Sequence, residues 1–144
     1  MTTDDPMIDV TLGRIVLRDR SDHQYIYLRE ASATDTPRGF PIVIGSSEAS
    51  EIHRVVHGEE MQRPLTHQLA YAAIQALGAS LRSVDIVDLR QNTFFAQLVL
   101  QQTDGEAVTI VDARPSDAIA LALRARCRIR VAESVLERAS VPEA

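Results

Sequence analysis

The chain of 144 residues has no tryptophan, no lysine and a single cysteine. One cysteine cannot form an intramolecular disulfide or a cysteine cluster for zinc, so a reduced, cytoplasmic compartment is the default expectation. No apolar run approaches the roughly 20 residues that a membrane-spanning helix needs. Residues 1–6 also lack the basic and apolar regions of a signal peptide. We therefore expect a cytoplasmic protein without a membrane partner.

Positive charge is scarce as well. Fifteen basic residues, all of them arginine, stand against 20 acidic residues, and the net charge is −5. A protein that holds nucleic acid by neutralising phosphates usually carries a basic surface, so this composition argues against tight, non-specific binding. It does not exclude a metal-dependent phosphodiesterase, because metal sites are themselves acidic. The basic residues interleaved with aromatics that are typical of single-strand binders are also missing, since only three Tyr and three Phe are present.

Several well-known catalytic patterns are absent. The six glycines are dispersed at the ends of predicted elements, so no phosphate-cradling loop exists, and no serine lies in a strand–elbow–helix context. His53 and His57 have a spacing compatible with metal binding on one helix face, although a solvated face explains them as well. Cys127 lies among arginines that would favour its thiolate on an exposed site. Its other interpretation is a small, partly buried residue at a strand edge.

Hydrophobic periodicity predicts one α+β domain over residues 8–140. We expect residues 1–7 to be a disordered tail and residues 141–144 to fray. Alternation and turn signals predict elements in the order β-β-β-α-α-β-β-β-α-β-α. Because hairpins imply antiparallel pairing, we predict a mixed, mainly antiparallel sheet with helices packed on it. Each half has a small sheet followed by a helix that Arg-Pro introduces, which suggests a pseudo-repeat of two halves.

The most informative segment is Asp112–Leu123, where polar and turn-forming residues lead directly into a helix of Ala, Ile and Leu. Such an apolar helix must be buried, so its polar start is held at a fixed place against the core. Pro115 suits the first helical turn, and Ser116 or Asp112 is predicted to cap the free amides. Asp117 complements the helix dipole. These structural roles account for the segment without any chemistry.

The same residue types also suit chemistry. Asp112, at the end of a predicted strand, and Asp117 are placed to face one point across the turn. Two such carboxylates would bind Mg²⁺ or Mn²⁺, which prefer oxygen ligands and keep several waters. Arg114 would either stabilise phosphate charge or pair with one of these carboxylates.

A related motif precedes an earlier helix, in the segment Arg63-Pro64-Leu65-Thr66-His67. Thr66 is predicted to be the N-cap. A histidine in the first turn is less expected, because a cation there opposes the helix dipole. A neutral His67 would act as a general base, a metal ligand or a donor to a carboxylate, while the alternative is a satisfied structural histidine.

Together these segments resemble the bifunctional nuclease family, also called the DNase/RNase domain family. The resemblance is carried by Arg63–Leu69, Thr93–Leu98 and Asp112–Arg124, and it extends over roughly Leu12 to Ala139. The family often has an acid after the histidine of the first motif, where this chain has Gln68. The resemblance implies hydrolysis of phosphodiester bonds in DNA and RNA. We expect nucleic acid to be a substrate that is cut with little sequence preference, and the net acidic charge predicts that it binds weakly.

The resulting hypothesis is a metal-assisted nuclease site. Its assignments are His67 as the group that activates water, Arg63 and Arg114 as stabilisers of the phosphate, Asp112 and Asp117 as metal ligands, and Glu48 as a reserve ligand. The alternative is a non-enzymatic regulatory or interaction module in which the same residues form a structural polar network. Open strand edges further predict a homo-oligomer.

Overall fold

The computed structural model describes residues 5–16, 24–32 and 34–143 and contains the eleven elements in the predicted order. The strands are β1 (Met7–Val16), β2 (Gln24–Glu30), β3 (Gly39–Ile44), β4 (Ala79–Arg90), β5 (Thr93–Gln102), β6 (Val108–Ala113) and β7 (Arg128–Ala132). The helices are α1 (Ser46–Val56), α2 (Thr66–Ala76), α3 (Pro115–Ala125) and α4 (Glu133–Ala139). The sequence predicts that the first strand ends at Leu17 and that residues 18–23 form a polar turn, and these predictions fall outside the described residues.

The strands form one sheet in the order β3-β2-β1-β7-β4-β5-β6. All neighbouring strands are antiparallel except β4 and β7, which are parallel. The α+β class with a mixed, mainly antiparallel sheet is therefore confirmed. Each half of the chain supplies a three-stranded meander on one side of β7, but the topology alone does not establish the pseudo-repeat, which stays a prediction.

The sheet is strongly curved, so that strands far apart in its order meet. Register shifts interrupt β1 between Leu12 and Arg14 and also occur twice in β4, and such bulges increase twist and bending. As a result β3 approaches β5, and the rings of Phe40 and Phe94 stack with centroids 5.1 Å apart. Helix α3 lies in the space that the curved sheet encloses, and the small side chains of α3 allow the helix and the sheet to pack closely. The predicted burial of this apolar helix is confirmed.

The start of α3 differs from the prediction in its cap. Arg114, not Ser116, is the residue that precedes the helix, with φ −70° and ψ 146°. Proline disfavours the helical conformation in the residue before it, so Arg114 stays extended and Pro115 becomes the first helical residue. Ser116 is then the second helical residue and is buried. The prediction of Ser116 as a cap is wrong.

The start of α2 differs in a similar way. Thr66 is already helical, and Leu65 is the extended residue that precedes it. The oxygen Oε1 of Gln68 accepts a hydrogen bond of 2.7 Å from the backbone N–H of Leu65. Gln68 thus stabilises the helix start, and the prediction of Thr66 as N-cap is wrong.

Both ends of the described chain make ordered contacts. The carboxylate of Asp5 accepts hydrogen bonds from the backbone N–H and the hydroxyl of Ser134, at 2.9 and 2.6 Å. The backbone N–H of Val141 donates to the carbonyl oxygen of Gly39 at 2.8 Å, and the hydroxyl of Tyr27 donates to the carbonyl of Val141 at 2.7 Å. These contacts join Asp5 and Val141 to the fold, and the disordered tail over residues 1–7 and the fraying of residues 141–144 stay predictions. Among the described helices, none combines the length and apolarity needed to cross a bilayer.

Candidate active site

The starts of α1, α2 and α3 bring four polar side chains together, which we call the helix-start cluster: Glu48, His67, Arg114 and Asp117. The ring nitrogen Nε2 of His67 lies 2.8 Å from Oδ1 of Asp117. The guanidinium of Arg114 contacts Oδ2 of the same carboxylate through Nε and a terminal nitrogen, both at 3.0 Å. That terminal nitrogen also lies 3.5 Å from Oε1 of Glu48. Asp117 therefore connects the two motifs that the sequence analysis paired.

The contact with Asp117 defines the hydrogen-bonding state of His67. An ionised carboxylate only accepts hydrogen bonds, so Nε2 carries the proton and donates it. In the neutral imidazole the other nitrogen, Nδ1, then presents a lone pair. The side chain of His67 is only 13% exposed, which restricts its motion, while that of Asp117 is 33% exposed. This arrangement fits a histidine whose orientation a carboxylate fixes, as a general base requires.

Arg114 is the most open member of the helix-start cluster, with a side chain that is 66% exposed. Its hydrogen bond to Asp117 raises the pKa of the guanidinium, and the charges of Asp117 and Glu48 act in the same direction. Because one guanidinium faces two carboxylates, the cluster carries a net negative charge with a neutral His67. Gly45 allows Glu48 to lie here, since a Cβ at Gly45 would come within 2.9 Å of Oε1 of Glu48.

Two clefts open on either side of the helix-start cluster. The first, of about 350 Å³, is lined by Ser47, Ser50, Arg54, Leu65, Thr66 and His67. The second, of about 360 Å³, lies between β3, the start of β5 and the start of α3, and Glu48, Phe94 and Arg114 are among its lining residues. Both volumes are at the lower end of the range for small-ligand sites. His67, Arg114 and Asp117 are thus partly open while Glu48 is buried, and the openness of the first three favours a chemical role over full burial in a scaffold.

The structure does not bring all the predicted site residues together. Asp112 is exposed on β6, opposite Gln97, and Arg63 is exposed before α2. Within the described ranges, no three His, Cys, Asp or Glu side chains are grouped to hold a metal ion. Both oxygens of Asp117 are already engaged by His67 and Arg114. Metal binding by Asp112 and Asp117 stays a prediction.

The sequence analysis missed the role of Glu51, which is completely buried. Its Oε2 accepts hydrogen bonds from Nε and a terminal nitrogen of Arg124, at 3.0 and 2.7 Å, and its Oε1 accepts one of 3.0 Å from Arg54. This triad joins α1 to α3 behind the helix-start cluster. The available signal was the position of Glu51 beside Ile52 on the apolar side of α1, where a charge needs a partner.

Two weaker predictions also have an outcome. His53 and His57 stack with ring centroids 4.0 Å apart at the exposed end of α1, and His53 lies 3.5 Å from a carboxylate oxygen of Glu59. This is the solvated helix face that was one of the two interpretations.

Cys127 is partly buried, and burial raises the pKa of its thiol to about 11. Of the two interpretations of Cys127, the structure therefore supports the small, partly buried residue at a strand edge and not the exposed thiolate.

Comparison with known proteins gives a family match, an uncharacterized relative and two relatives that are named bifunctional nucleases. Residues 26–144 match the bifunctional nuclease domain. An uncharacterized protein of Mycobacterium tuberculosis (strain ATCC 25618 / H37Rv) is 41% identical over 135 residues, which are 94% of this chain and 77% of that protein. Bifunctional nuclease 1 of Oryza sativa subsp. japonica and the bifunctional nuclease of Oryza minuta are both 26% identical over 116 residues. These residues are 80% of this chain and 34% of each rice protein, so the chain spans about a third of the rice proteins' length.

Proposed function

The chain belongs to the bifunctional nuclease domain family, and from this premise we propose that it hydrolyses phosphodiester bonds of DNA and RNA. The observation that carries the proposal is the pair formed by His67 and Asp117 between two partly open clefts. The names of the rice relatives support the same activity. Net acidic charge predicts weak binding of the substrate, with little sequence preference.

In the proposed mechanism His67 removes a proton from the attacking water through Nδ1, while Asp117 holds the ring through the hydrogen bond at Nε2. As the water oxygen bonds to phosphorus, the P–O bond to the leaving sugar breaks, and the leaving oxygen takes a proton from solvent or from the protonated His67. The exposed guanidinium of Arg114, adjacent to His67 through their common partner Asp117, stabilises the charge that develops on the phosphate. Arg63 precedes α2 and is exposed, so it adds attraction for the substrate without a fixed partner.

A divalent cation, Mg²⁺ or Mn²⁺, is part of the proposal because the helix-start cluster is net negative and a phosphodiester is an anion. The chemistry that such an ion supplies is neutralisation of phosphate charge. The carboxylates available are Asp112, which is exposed, and Glu48. The proposal predicts that Asp112→Asn lowers the rate and raises the Mg²⁺ concentration needed for half-maximal activity. Full activity of this variant in EDTA would exclude the cation at Asp112.

The test of the activity uses purified protein on single-stranded and double-stranded DNA and on RNA, with Mg²⁺ or Mn²⁺. His67→Ala is expected to lose about 100-fold or more in rate, since general-base catalysis contributes on the order of 10²–10⁴. His57→Ala is the matched control, because His57 is an exposed histidine outside the helix-start cluster. Equal rates for the His67→Ala variant and the parent protein would contradict the proposed mechanism.

A second candidate function is a non-enzymatic regulatory or interaction module. It is favoured by one observation, namely that the helix-start cluster links α1, α2 and α3 through satisfied hydrogen bonds and ion pairs. On this alternative the polar residues fix the helix starts, and their loss lowers stability without removing any activity. Absence of cleavage by the parent protein with either metal would favour this alternative.

The chain is also proposed to form a homodimer through α2 and β6. No residue of α2 is buried, and Leu69 and Leu77 are 60% and 81% exposed, although this helix contains no Asp, Glu, Lys or Arg. A lone surface helix normally carries charges on its outer face. The edge strand β6 likewise exposes Val108, Ile110 and Val111. Asp112 on β6 is the one charged residue in these two elements, so a contact through them brings little charge together between two copies with a net charge of −5.

The size of this surface also suits a dimer. Helix α2 has eleven residues and β6 has six, close to the roughly 20 residues that each side of a stable interface provides. Light scattering is expected to give twice the chain mass of 15.9 kDa. Leu77→Glu should weaken the dimer, whereas Val56→Glu, at the corresponding end of α1, should not. A parent protein that stays monomeric at high concentration would exclude this interface.

A further inference from the structure

A third cleft, of about 560 Å³, lies at the end of β4 and the start of β5, and it is larger than either cleft beside the helix-start cluster. We call it the arginine cleft. Its lining includes two guanidiniums and one aromatic ring but no carboxylate, and consists of Leu89, Arg90, Gln91, Thr93, Phe95 and Arg138. The side chains of Arg90 and Arg138 are 65% and 53% exposed. Accessible positive charge beside an aromatic ring, in a protein with a net charge of −5, indicates an anionic ligand that carries flat rings.

One carboxylate, that of Asp88, contacts both arginines of this cleft. Its Oδ2 lies 3.0 Å from Nε of Arg90, and its Oδ1 lies 3.6 Å from a terminal nitrogen of Arg138. Oδ1 also accepts a hydrogen bond of 2.8 Å from the backbone N–H of Leu89. Two guanidiniums therefore share one carboxylate, and the group keeps an excess of positive charge. The contact with Asp88 orients the arginines without neutralising both of them.

Arg90 is held in a position that suits stacking. Its carbon Cζ lies 4.1 Å from the centroid of the Phe95 ring, a distance at which the ring attracts the cation. The ring lies on one side of the guanidinium, and the exposed side chain leaves its other side accessible. Bases of single-stranded nucleic acids stack on aromatic rings and on guanidinium planes. Arg90 over Phe95 thus provides a platform for one base.

The arginine cleft adjoins the second cleft of the candidate active site. The exposed residue Thr93 lines both of them, and the second cleft also contains Glu48 and Arg114 of the helix-start cluster. The two residues of the turn before β5 divide between the clefts, with Gln91 at the arginine cleft and Asn92 at the second cleft. An extended ligand that crosses Thr93 therefore occupies both clefts.

From this arrangement we propose that a single strand of nucleic acid extends from the helix-start cluster across Thr93 into the arginine cleft, where one base stacks on Arg90 and Arg138 contacts a phosphate. The inference rests on the proposed nuclease function and deepens it, because it names single-stranded DNA or RNA as the substrate class. A base in a duplex is paired and stacked between its neighbours, so only an unpaired base presents a face to Arg90. Both arginines bind the strand and have no role in bond cleavage.

The first experiment measures binding without catalysis, by fluorescence anisotropy of a labelled oligothymidylate of about 12 nucleotides in EDTA. Arg90→Gln is expected to weaken binding about tenfold, since stacking of one base contributes roughly that much or more. Arg138→Gln removes one phosphate contact, so the slope of log affinity against log salt should fall by roughly 0.7. Arg82→Gln is the matched control, because Arg82 is an exposed arginine near the opposite end of β4 and does not line the cleft.

A second variant tests the same cleft by a gain of affinity, which partial unfolding cannot produce. Asp88→Asn keeps an acceptor for the N–H of Leu89 and removes the carboxylate that the two arginines share. It should tighten binding of the oligothymidylate by about fivefold, as expected for the loss of one repulsive charge at about 4 Å in water. Asp104→Asn changes the net charge equally at an exposed turn and is the control. Equal affinities of these two variants would overturn the proposed strand path.

The catalytic experiment compares cleavage of a dinucleotide with cleavage of the longer oligothymidylate. In the parent protein and in Arg82→Gln, KM should fall as the strand becomes long enough to reach the arginine cleft. In Arg90→Gln most of this decrease should be lost, with little change in kcat, because Arg90 binds the strand equally before and during the reaction. A KM that depends on strand length to the same degree in both variants would overturn the path.

The outcomes separate this inference from the proposed function. Binding of the oligothymidylate that depends on Arg90 and Asp88, in a protein that cleaves no nucleic acid, would support the strand path and contradict the nuclease proposal. Cleavage by a protein in which Arg90→Gln and Arg82→Gln have equal effects on binding would overturn the path alone. Equally tight binding of a duplex and a single strand of the same sequence would also overturn it, since paired bases cannot stack on Arg90.

Discussion

Replacing Asp117 by asparagine is the change that best separates catalysis from structure. The amide keeps the size of the carboxylate but removes its charge, and only one of its two terminal atoms accepts hydrogen bonds. Asp117 holds His67 at 2.8 Å and Arg114 at 3.0 Å through different oxygens. If the asparagine oxygen accepts from Arg114, its N–H can donate to Nε2 only when His67 takes the other tautomer, and Nδ1 then lacks the free lone pair that a general base needs; if the oxygen accepts from His67, the ion pair with Arg114 is lost.

The structure gives different magnitudes for stability and for activity. Hydrogen bonds to charged groups contribute roughly 1.5–3 kcal/mol, but Asp117 is 33% exposed and Arg114 is 66% exposed. Solvent screening reduces the net loss to about 1 kcal/mol, which corresponds to a fall in Tm of about 3–5 °C in a domain of this size. A wrongly oriented general base costs about 100-fold in rate, or on the order of 2.7 kcal/mol of transition-state stabilisation.

The assay measures initial rates on single-stranded DNA and RNA with Mg²⁺, together with the thermal melting of the same preparations. Asp104→Asn serves as the control, since Asp104 is an exposed carboxylate in the turn between β5 and β6. A fall in Tm of more than about 10 °C with an unchanged rate would refute the catalytic reasoning, because a buried network left with an unpaired charge loses about 3–5 kcal/mol. The helix-start cluster would then be structural.

Three further predictions concern stability and reactivity. Glu51→Gln leaves Arg124 without its buried counter-charge, so urea denaturation should show a loss of about 3–5 kcal/mol; a loss below about 1 kcal/mol would contradict the proposed role of the triad. Because burial raises the pKa of the Cys127 thiol to about 11, the folded protein should react with a thiol reagent at pH 8 far more slowly than the unfolded protein, and equal rates would disprove burial. The hydrogen bonds from Arg38 lower the pKa of Glu30 below its usual 4.5. A lowered pKa in the folded state contributes stability above the unfolded pKa and loses it as pH falls through the folded value. Arg38→Gln should therefore cost stability at pH 7, and the cost should shrink as the pH falls below 4.5 through the folded-state pKa of Glu30; a cost independent of pH would contradict this explanation.

The sequence predicted the fold well because the signals that define it are local. Alternating apolar residues, the two-residue turn at Gln91 and Asn92, and the glycines after α1 and α2 all act over a few positions. The structure has positive φ at both turn residues, 50° and 62°, and at Gly58 and Gly78, 66° and 80°. What the sequence could not give is the order of strands, since placing β7 between β1 and β4 depends on contacts between distant segments.

The candidate site shows the same division between local and distant information. The motifs at α2 and α3 were recognised because proline, histidine and acidic residues stand out at helix starts, yet the sequence paired Asp112 with Asp117 because they are close along the chain. The structure pairs Asp117 with His67, fifty residues away, and leaves Asp112 on an exposed strand.

Helix α2 has exposed apolar side chains that the fold of the monomer does not explain. Its run of alanine and leucine is typical of a helix inside a protein, but the folded monomer leaves Leu69 and Leu77 exposed. The same helix carries His67, so the position of α2 relative to α3 determines the distance between His67 and Asp117 in the proposed site. If a second copy covers α2, dimerisation restricts the motion of His67 relative to Asp117, and activity per chain should rise with protein concentration through the dissociation constant of the dimer. Specific activity that is constant across that range, while light scattering records dissociation, would show that the hydrogen bond to Asp117 alone is sufficient to hold the catalytic histidine.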